Sequence, residues 1–359
     1  MSSAKAELNR FVKADDAIGF AVSVLTKHQV SHEDAVAVAD CLVEADLRGV
    51  QTHGLSRLPV YVERLQRGMM NPRPAMTLTK PTAVCGSLDG DNGFGFLVGR
   101  RGMAEAMAMA SDYGVGIVAA HNSNHFGMAA SYLLQAVNAG YLAFVFTNAA
   151  MSMPPWGGRE GLFGTNPFAA GAPSGHEVPF ILDMSPAVAA RGKIRLAEKR
   201  GESIPEGYAL DKDGKNTTDP TAALAGVVLP IGGYKGSGLS MLMDILSGVL
   251  SGAGFAGGVN DQYHNWDAPQ NVGHFFMALK PGFFITEQAF RDRMDLLVQR
   301  VKAVPLADGF DEILMPGEKE ARLADERRQN GIPYAAADLA LLEKLAVANA
   351  VAPLAFTTG

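Results

Sequence analysis

A strand that runs through a glycine loop directly into a helix leaves the backbone few paths, and residues 227–246 have that order. The β-branched stretch Val227 to Ile231 leads into Gly232-Gly233-Tyr234-Lys235-Gly236-Ser237-Gly238, which leads into the apolar segment Leu239 to Leu246. Glycines let backbone amides approach an anion closely, the first amides of a helix have no partner within it, and a lysine adds a point charge. The loop therefore has the chemistry of a phosphate cradle. It lacks the Walker spacing, in which lysine directly follows the last glycine and precedes Ser or Thr, and it is not Gly-x-Gly-x-x-Gly after a strand. A tight turn explains the same glycines, and the loop alone leaves both readings open.

The whole chain narrows what such a loop would serve. Its 359 residues, 48% hydrophobic and 19% charged, are long enough for a large core and for two or three domains. A net charge of -6 argues against nucleic acid or an anionic membrane as the main partner and favours a small molecule. Cys41 and Cys85 lie far apart with no second thiol or histidine at ligand spacing, so neither a disulfide framework nor a metal site is expected. The first fifteen residues carry charges and no continuous apolar run, unlike a secretory signal, and the longest apolar stretches, such as Tyr141 to Phe146, are strand-sized. A cytoplasmic location is expected.

Residues 14–48 read as two amphipathic helices, the second opened by Ser31, with Asp34 placed to answer its cap. A turn at 50–54 leads to a helix on which Pro59 is tolerable only in the first turn. Short strands follow over 75–88, then a helix from Gly95 to Tyr113 stopped by Gly114. A strand over 115–120, a polar loop over 121–127, a helix to about Ala139 and a strand over 141–147 make a β-α-β order. Residues 149–173 are too irregular for one element and too long for an idle connection. A strand over 179–184 and a helix over 185–200 precede a polar excursion to 222. Beyond the glycine loop come an irregular stretch over 252–273, a strand over 274–279, and helices over 287–304 and 334–347.

Chemistry concentrates at His53. It has a hydroxyl before it, a glycine after it, and Arg57 one helical turn on. An arginine grips a carboxylate bidentately, and a histidine titrating near neutrality exchanges a proton at the adjacent carbon. Reduction of a 2-oxo acid needs those two functions together. His121 and His125 are spaced for a metal pair, but Asn122, Ser123 and Asn124 between them are poor helix formers and no carboxylate completes a ligand set, so a polar loop is the simpler reading. The glycines of 93–99 have the wrong interval for a dinucleotide fingerprint, and no Gly-x-Ser-x-Gly elbow appears. Asp183, at the end of a buried-type strand, reads as a cap for the segment that follows, as an acceptor for a cofactor hydroxyl, or as both.

Taken together, Thr52-His53-Gly54 with Arg57, Ser123-Asn124-His125-Phe126-Gly127, Phe163-Gly164-Thr165-Asn166-Pro167, Asp183-Met184-Ser185, Ala190-Arg191-Gly192-Lys193-Ile194 and Gly233-Tyr234-Lys235-Gly236-Ser237-Gly238 resemble the malate/L-lactate dehydrogenase family of NAD(P)-dependent oxidoreductases. The resemblance spans about residues 15–345. It implies a mixed α/β fold in which a non-Rossmann cofactor domain, with a mainly antiparallel mixed sheet surrounded by helices, joins a helical N-terminal region and a smaller α/β domain. The expected division is 1–60 for the helical region, 61–120 with 300–345 for the smaller domain, and 121–299 for the cofactor domain. The resemblance further implies a homodimer acting on a 2-oxo, 2-hydroxy or 2-imino acid, with His53 as acid/base, Thr52 as its hydroxyl partner, Arg57 as carboxylate clamp and Thr165 near the substrate. Cofactor contacts are implied for His125, Phe126, Gly127, Met128, Ala129, Asp183, Met184, Ser185, Tyr234, Lys235, Gly236, Pro316, Gly317 and Glu318. The cofactor is NAD or NADP, with NAD preferred. Where the family's ketimine reductases place an aspartate in the hydroxyl-histidine relay, this chain has Lys193, which favours a carbonyl substrate over a cyclic ketimine. A phosphate- or nucleotide-binding protein without redox chemistry is the rival from another class, and it gives no reason for His53 and Arg57 to be paired.

Overall fold

The computed structural model describes residues 10–358, whose apolar side chains gather into two main cores. The first is built by helices. β1 (Arg10–Val12) leads to α1 (Ala14–Lys27) and α2 (His32–Leu47), with Ser31 Oγ accepting the Asp34 N–H at 3.1 Å as the N-cap. Two tight turns, Gln51–His53 and Leu55–Arg57, then bring the chain into α3 (Leu58–Gln66), which carries Pro59 in its first turn.

The second core lies against a sheet. In chain order come β2 (Thr77–Thr79), β3 (Cys85–Asp89), α4 (Gly95–Tyr113), β4 (Val115–Ser123), α5 (Ala130–Asn138), β5 (Leu142–Thr147), β6 (Phe168–Ala172) and β7 (Phe180–Met184). α6 (Arg191–Arg200), β8 (Ala209–Leu210), β9 (Asn216–Thr217), α7 (Pro220–Ala225) and β10 (Val227–Val228) form a small satellite with its own apolar cluster. α8 (Tyr234–Asp244) runs into a π-helical turn, Ile245–Val249. β11 (Val272–Leu279), α9 (Glu287–Lys302), α10 (Glu318–Asn330), β12 (Ile332–Tyr334), α11 (Ala336–Ala348) and β13 (Thr357–Thr358) complete the chain.

The seven-stranded sheet has the order β2-β3-β4-β11-β5-β6-β7, and only β3 and β4 run parallel. β4 and β5 flank α5 in sequence, yet β11 lies between them and pairs antiparallel with both. The β-α-β order is therefore not a Rossmann unit, in which the two strands would be neighbours. Strand alternation puts Phe276 against α4 and α5 and Phe275 against Met243 of α8, so helices cover both faces. Gly102 of α4 allows this, since a Cβ there would lie 2.5 Å from the Phe276 ring.

The apolar groupings differ from the expected division. Residue 120 falls inside β4, within the sheet, and β2 to β4 pack with the strands of 142–279. The elements of 318–354 pack instead with α1, α2 and α3, and β1 pairs with both β12 and β13. Burial of a shared apolar face decides these partners, and sequence separation does not report it.

Candidate active site

The turn 51–57 and helix α3 hold the side chains expected to react. His53 Nδ1 lies 2.9 Å from Thr52 Oγ1, and the Arg57 guanidinium returns to hydrogen-bond the Thr52 carbonyl. Burial and the neighbouring Arg57 charge push the His53 imidazole down to about 4. The near-neutral value expected of it is thus not what its surroundings hold in the absence of an anion. Burial and the nearby Arg195 of α6 also lower the Arg57 guanidinium from its ordinary value.

Arg57, at the N-cap of α3, and Tyr61 and Arg64 within it stand at i, i+4 and i+7, one side of the helix. Tyr61 Oη is 2.8 Å from His125 Nδ1, and the Gly127 N–H donates to that same nitrogen at 3.3 Å. A backbone N–H can only donate, so Nδ1 is the bare nitrogen, Tyr61 donates to it, and Nε2 carries the hydrogen. His125 is then a fixed Nε2–H donor stacked on His53, with centroids 5.5 Å apart. Burial and the Arg57 charge hold it well below its ordinary range, in the neutral state this tautomer requires.

Arg64 is fully buried and donates to the carbonyls of Gln262, Asn265 and Ala268. It thereby fixes the irregular 252–273 segment over the site. That segment lays the Tyr263 ring 5.3 Å from the Arg57 guanidinium and offers Gln270 Oε1 to the backbone N–H of His125 at 3.1 Å. Below them the buried His274 stacks on Phe126 at 4.7 Å, with Thr147 Oγ1 at Nδ1 and Ser123 Oγ at Nε2.

The other expected residues continue outward from His125. Phe126, Met128 and Ala129 bury their side chains in the sheet core, leaving backbone as what they can offer a ligand. Asp183 accepts the Ala130 N–H at 2.8 Å, so it caps α5 and not the segment after it, and burial pushes its carboxyl up to about 6. Ser185 donates to the Thr165 carbonyl at 3.1 Å, joining two of the expected segments. Gly236 packs against the Pro186 carbonyl and Ile231, where a Cβ would lie 2.4 Å from the Ile231 oxygen.

The glycine region is a two-residue turn followed at once by helix. Gly232 and Gly233 have φ of +59° and +64°, and α8 starts at Tyr234, not Leu239. The N-terminus of α8 has no side-chain cap, and among the described residues no carboxylate pairs with the exposed Lys235. Of the first four amides of α8, those of Lys235, Gly236 and Ser237 already donate to the carbonyls of Gly232, Ile231 and Gly233, so among the described residues the Tyr234 N–H and the Lys235 cation are what this end offers an anion. The segment 149–166 is pinned to α8, since Ser237 Oγ accepts the Trp156 N–H at 2.9 Å and Asn166 donates to the Ser240 carbonyl.

Two expected residues stand apart from this run. Lys193 is exposed at the start of α6, and among the described residues no hydrogen bond joins its side chain to Thr52 or His53. Glu318 spends both oxygens, on Lys302 and Arg322 at 2.6 Å each and on the Met315 N–H at 3.0 Å, while the Pro316 carbonyl accepts from Ile181. Tyr61, Arg64, Arg195, Tyr263 and Gln270 join the site without having been expected from the sequence. Only Tyr61 and Arg64 left a signal, their spacing from Arg57 on one helix.

The fold is thus a mixed sheet without the Rossmann crossover, on which the turn carrying His53 and Arg57 and the glycine-led start of α8 are placed. The chain belongs to the malate/L-lactate dehydrogenase family, whose pattern it matches over residues 12–343. It is 41% identical over 307 residues to the L-sulfolactate dehydrogenase of Methanocaldococcus jannaschii, covering 86% of this chain and 88% of that protein. The solved structure of the M. jannaschii sulfolactate dehydrogenase superposes with a TM-score of 0.90 at 38% identity, over 95% of this chain and 98% of the other. The malate dehydrogenase structure from Pyrococcus horikoshii gives 0.89 at 35% identity, over 99% of both. The ureidoglycolate dehydrogenase (NAD(+)) of Escherichia coli is 35% identical over 291 residues, covering 81% of this chain and 83% of that protein. The protein is accordingly an NAD(P)-dependent dehydrogenase of a small hydroxy acid. Among the described residues, no helix is long and apolar enough to cross a membrane.

Proposed function

We propose that the protein interconverts a 2-hydroxy and a 2-oxo carboxylic acid, with His53 as the proton donor and acceptor at the C2 oxygen and Arg57 as the clamp on the C1 carboxylate. The observation that carries this is the pairing of His53 with Thr52, Arg57 and the stacked His125. When bound, the nicotinamide dinucleotide supplies the acceptor or donor of the hydride at C2. His53 takes the hydroxyl proton as that hydride leaves and returns it in reduction. Burial is the larger cause of the depressed imidazole and the Arg57 charge the smaller; a carboxylate on Arg57 offsets the second, so substrate binding moves His53 part of the way back towards neutrality. Thr52 orients the ring through Nδ1, and Thr165 completes the substrate's surroundings.

The residues at the glycine end would hold the dinucleotide. Lys235 and the Tyr234 amide would meet its phosphates, Gly236 and Gly127 leaving room for close approach, while Asp183, Met184 and Ser185 at the end of β7 and the Pro316-Gly317-Glu318 segment would line the rest. Since Glu318 is committed to Lys302 and Arg322, its part would be to shape the 315–318 turn. Relatives are named for either cofactor, one for NAD(+) and one for NADP(+), and NAD is the preferred choice here. Lys193 stands in this proposal as the residue favouring a carbonyl over an imine. The exposed apolar row Met241, Leu242, Ile245 and Val249 supports the homodimer the family resemblance implies.

Initial rates with oxaloacetate, pyruvate, 3-sulfopyruvate and a cyclic ketimine, each with NADH and NADPH, test the reading. Turnover of at least one 2-oxo acid well above the ketimine is expected. Turnover of the ketimine alone would make the protein an imine reductase, and binding of NADH without turnover of any of the four would overturn redox function.

A further inference from the structure

The turn that carries His53 rests on a buried carboxylate outside the reacting group. Asp46, in the last turn of α2, is 1% exposed. Its Oδ2 accepts the Leu55 N–H at 2.8 Å and the Tyr334 hydroxyl at 2.6 Å, tying the residue two beyond His53 to β12. Its Oδ1 finds no hydrogen-bond partner among the described residues and presses on Gly54, where a Cβ would lie 1.8 Å away. Glycine after His53 is thus required by the carboxylate beneath it. Gln51 adds a second tie, donating to the Pro333 carbonyl at 2.9 Å.

We propose that Asp46 is a positioning residue for the reaction: with Tyr334 it clamps the His53 turn against β12, and its ionised form sets the imidazole's place. This deepens the function proposed above and rests on it. The clamp carries a proton-dependent element. Burial pushes the Asp46 carboxyl up to about 7, against the Tyr334 hydroxyl, the Leu55 N–H and the Arg327 charge of α10, while Asp338 of α11 adds to the rise. On α2 itself, Glu44 and Arg48 pair with each other. An ionised Oδ2 accepts both bonds with charge assistance, and a protonated one accepts them more weakly. In the oxidation of the hydroxy acid, kcat/KM, which reports the free enzyme, should therefore fall as pH drops through about 7, a limb separate from the one near 4 that belongs to unliganded His53.

The experiment compares the full-length wild type with D46N and Y334F. In D46N the limb near 7 should vanish, with kcat at pH 8 lower by about 10²-fold and KM for the dinucleotide unchanged, because displacement of a reacting group by about an ångström has that effect. In Y334F the limb should move to higher pH, because the lost bond favours the ionised carboxylate. A D46N profile that keeps the limb, or a Y334F limb that stays put or moves down, overturns the proposal. Histidine-labelled NMR of the same proteins reads it without turnover. The His53 ring signals should shift near pH 7 in wild type, and this shift should be absent in D46N and displaced upward in Y334F. If the wild type turns over none of the 2-oxo acids, the functional reading fails while the NMR titration still decides the clamp. If D46N does not fold, Y334F alone decides it.

Discussion

The two ends of the site are built in opposite ways. At the glycine end, Gly232, Gly233 and the first turn of α8 are sequence neighbours, and the proposed anion contact needs only left-handed φ values, the Tyr234 amide and the Lys235 cation. At the histidine end, a residue of a short turn is held by α2 through Asp46, by β12 through Tyr334 and Pro333, and by the loop after β4 through His125. Local chemistry makes a binding surface cheaply, because only a few residues must be ordered to create it. A reacting group needs its ring fixed in position, charge and tautomer, and that takes partners arriving from several directions. The first end should therefore govern affinity for the dinucleotide, and the second should govern turnover.

The largest expected effect tests the histidine end directly. His53→Ala should lower kcat by about 10²- to 10⁴-fold, the usual range for a placed proton-transfer group, with dinucleotide binding by fluorescence titration unchanged. Near-native kcat would remove His53 from the chemistry and dissolve the contrast between the ends. Next in size, Arg57→Lys keeps the charge but loses the planar fork. KM for the 2-oxo acid should rise about tenfold while KM for the dinucleotide holds, and an equal rise in both would mean that the two ends are not separable. The smallest effect belongs to Lys235→Ala, which should weaken dinucleotide binding by between about two- and tenfold, with kcat at saturation retained. Unchanged affinity would return the Gly232–Gly233 turn to a purely structural part.

Much of the site was legible before the fold, for reasons specific to each residue. Thr52, His53 and Arg57 lie within one turn of each other, and the Ser31 cap, the Gly114 stop and Pro59 act over a few residues. The start of α8 was misjudged because glycines that normally interrupt helices are here tolerated inside one, Gly236 by its close approach to Pro186 and Ile231. The role of Asp183 was half legible: a cap was expected, but the helix capped is α5, more than 40 residues earlier in the chain. α10 and β12 gave no periodic signal, one being polar nearly all round and the other three residues long.

From the sequence by itself follow the family, the class of chemistry and the local devices, because turns, caps and helix faces depend on residues within a turn or two of each other. Tertiary structure alone decided that β11 separates β4 from β5, that the C-terminal elements pack on the first three helices, and that Asp46 and Tyr334 lie beneath His53. Those choices are made by burial of apolar faces and pairing of polar groups between distant segments, as when Asp46 meets Tyr334 or β1 meets β13 at the other end of the chain. Such partners satisfy one another only once the chain has closed on itself, so no local pattern announces them.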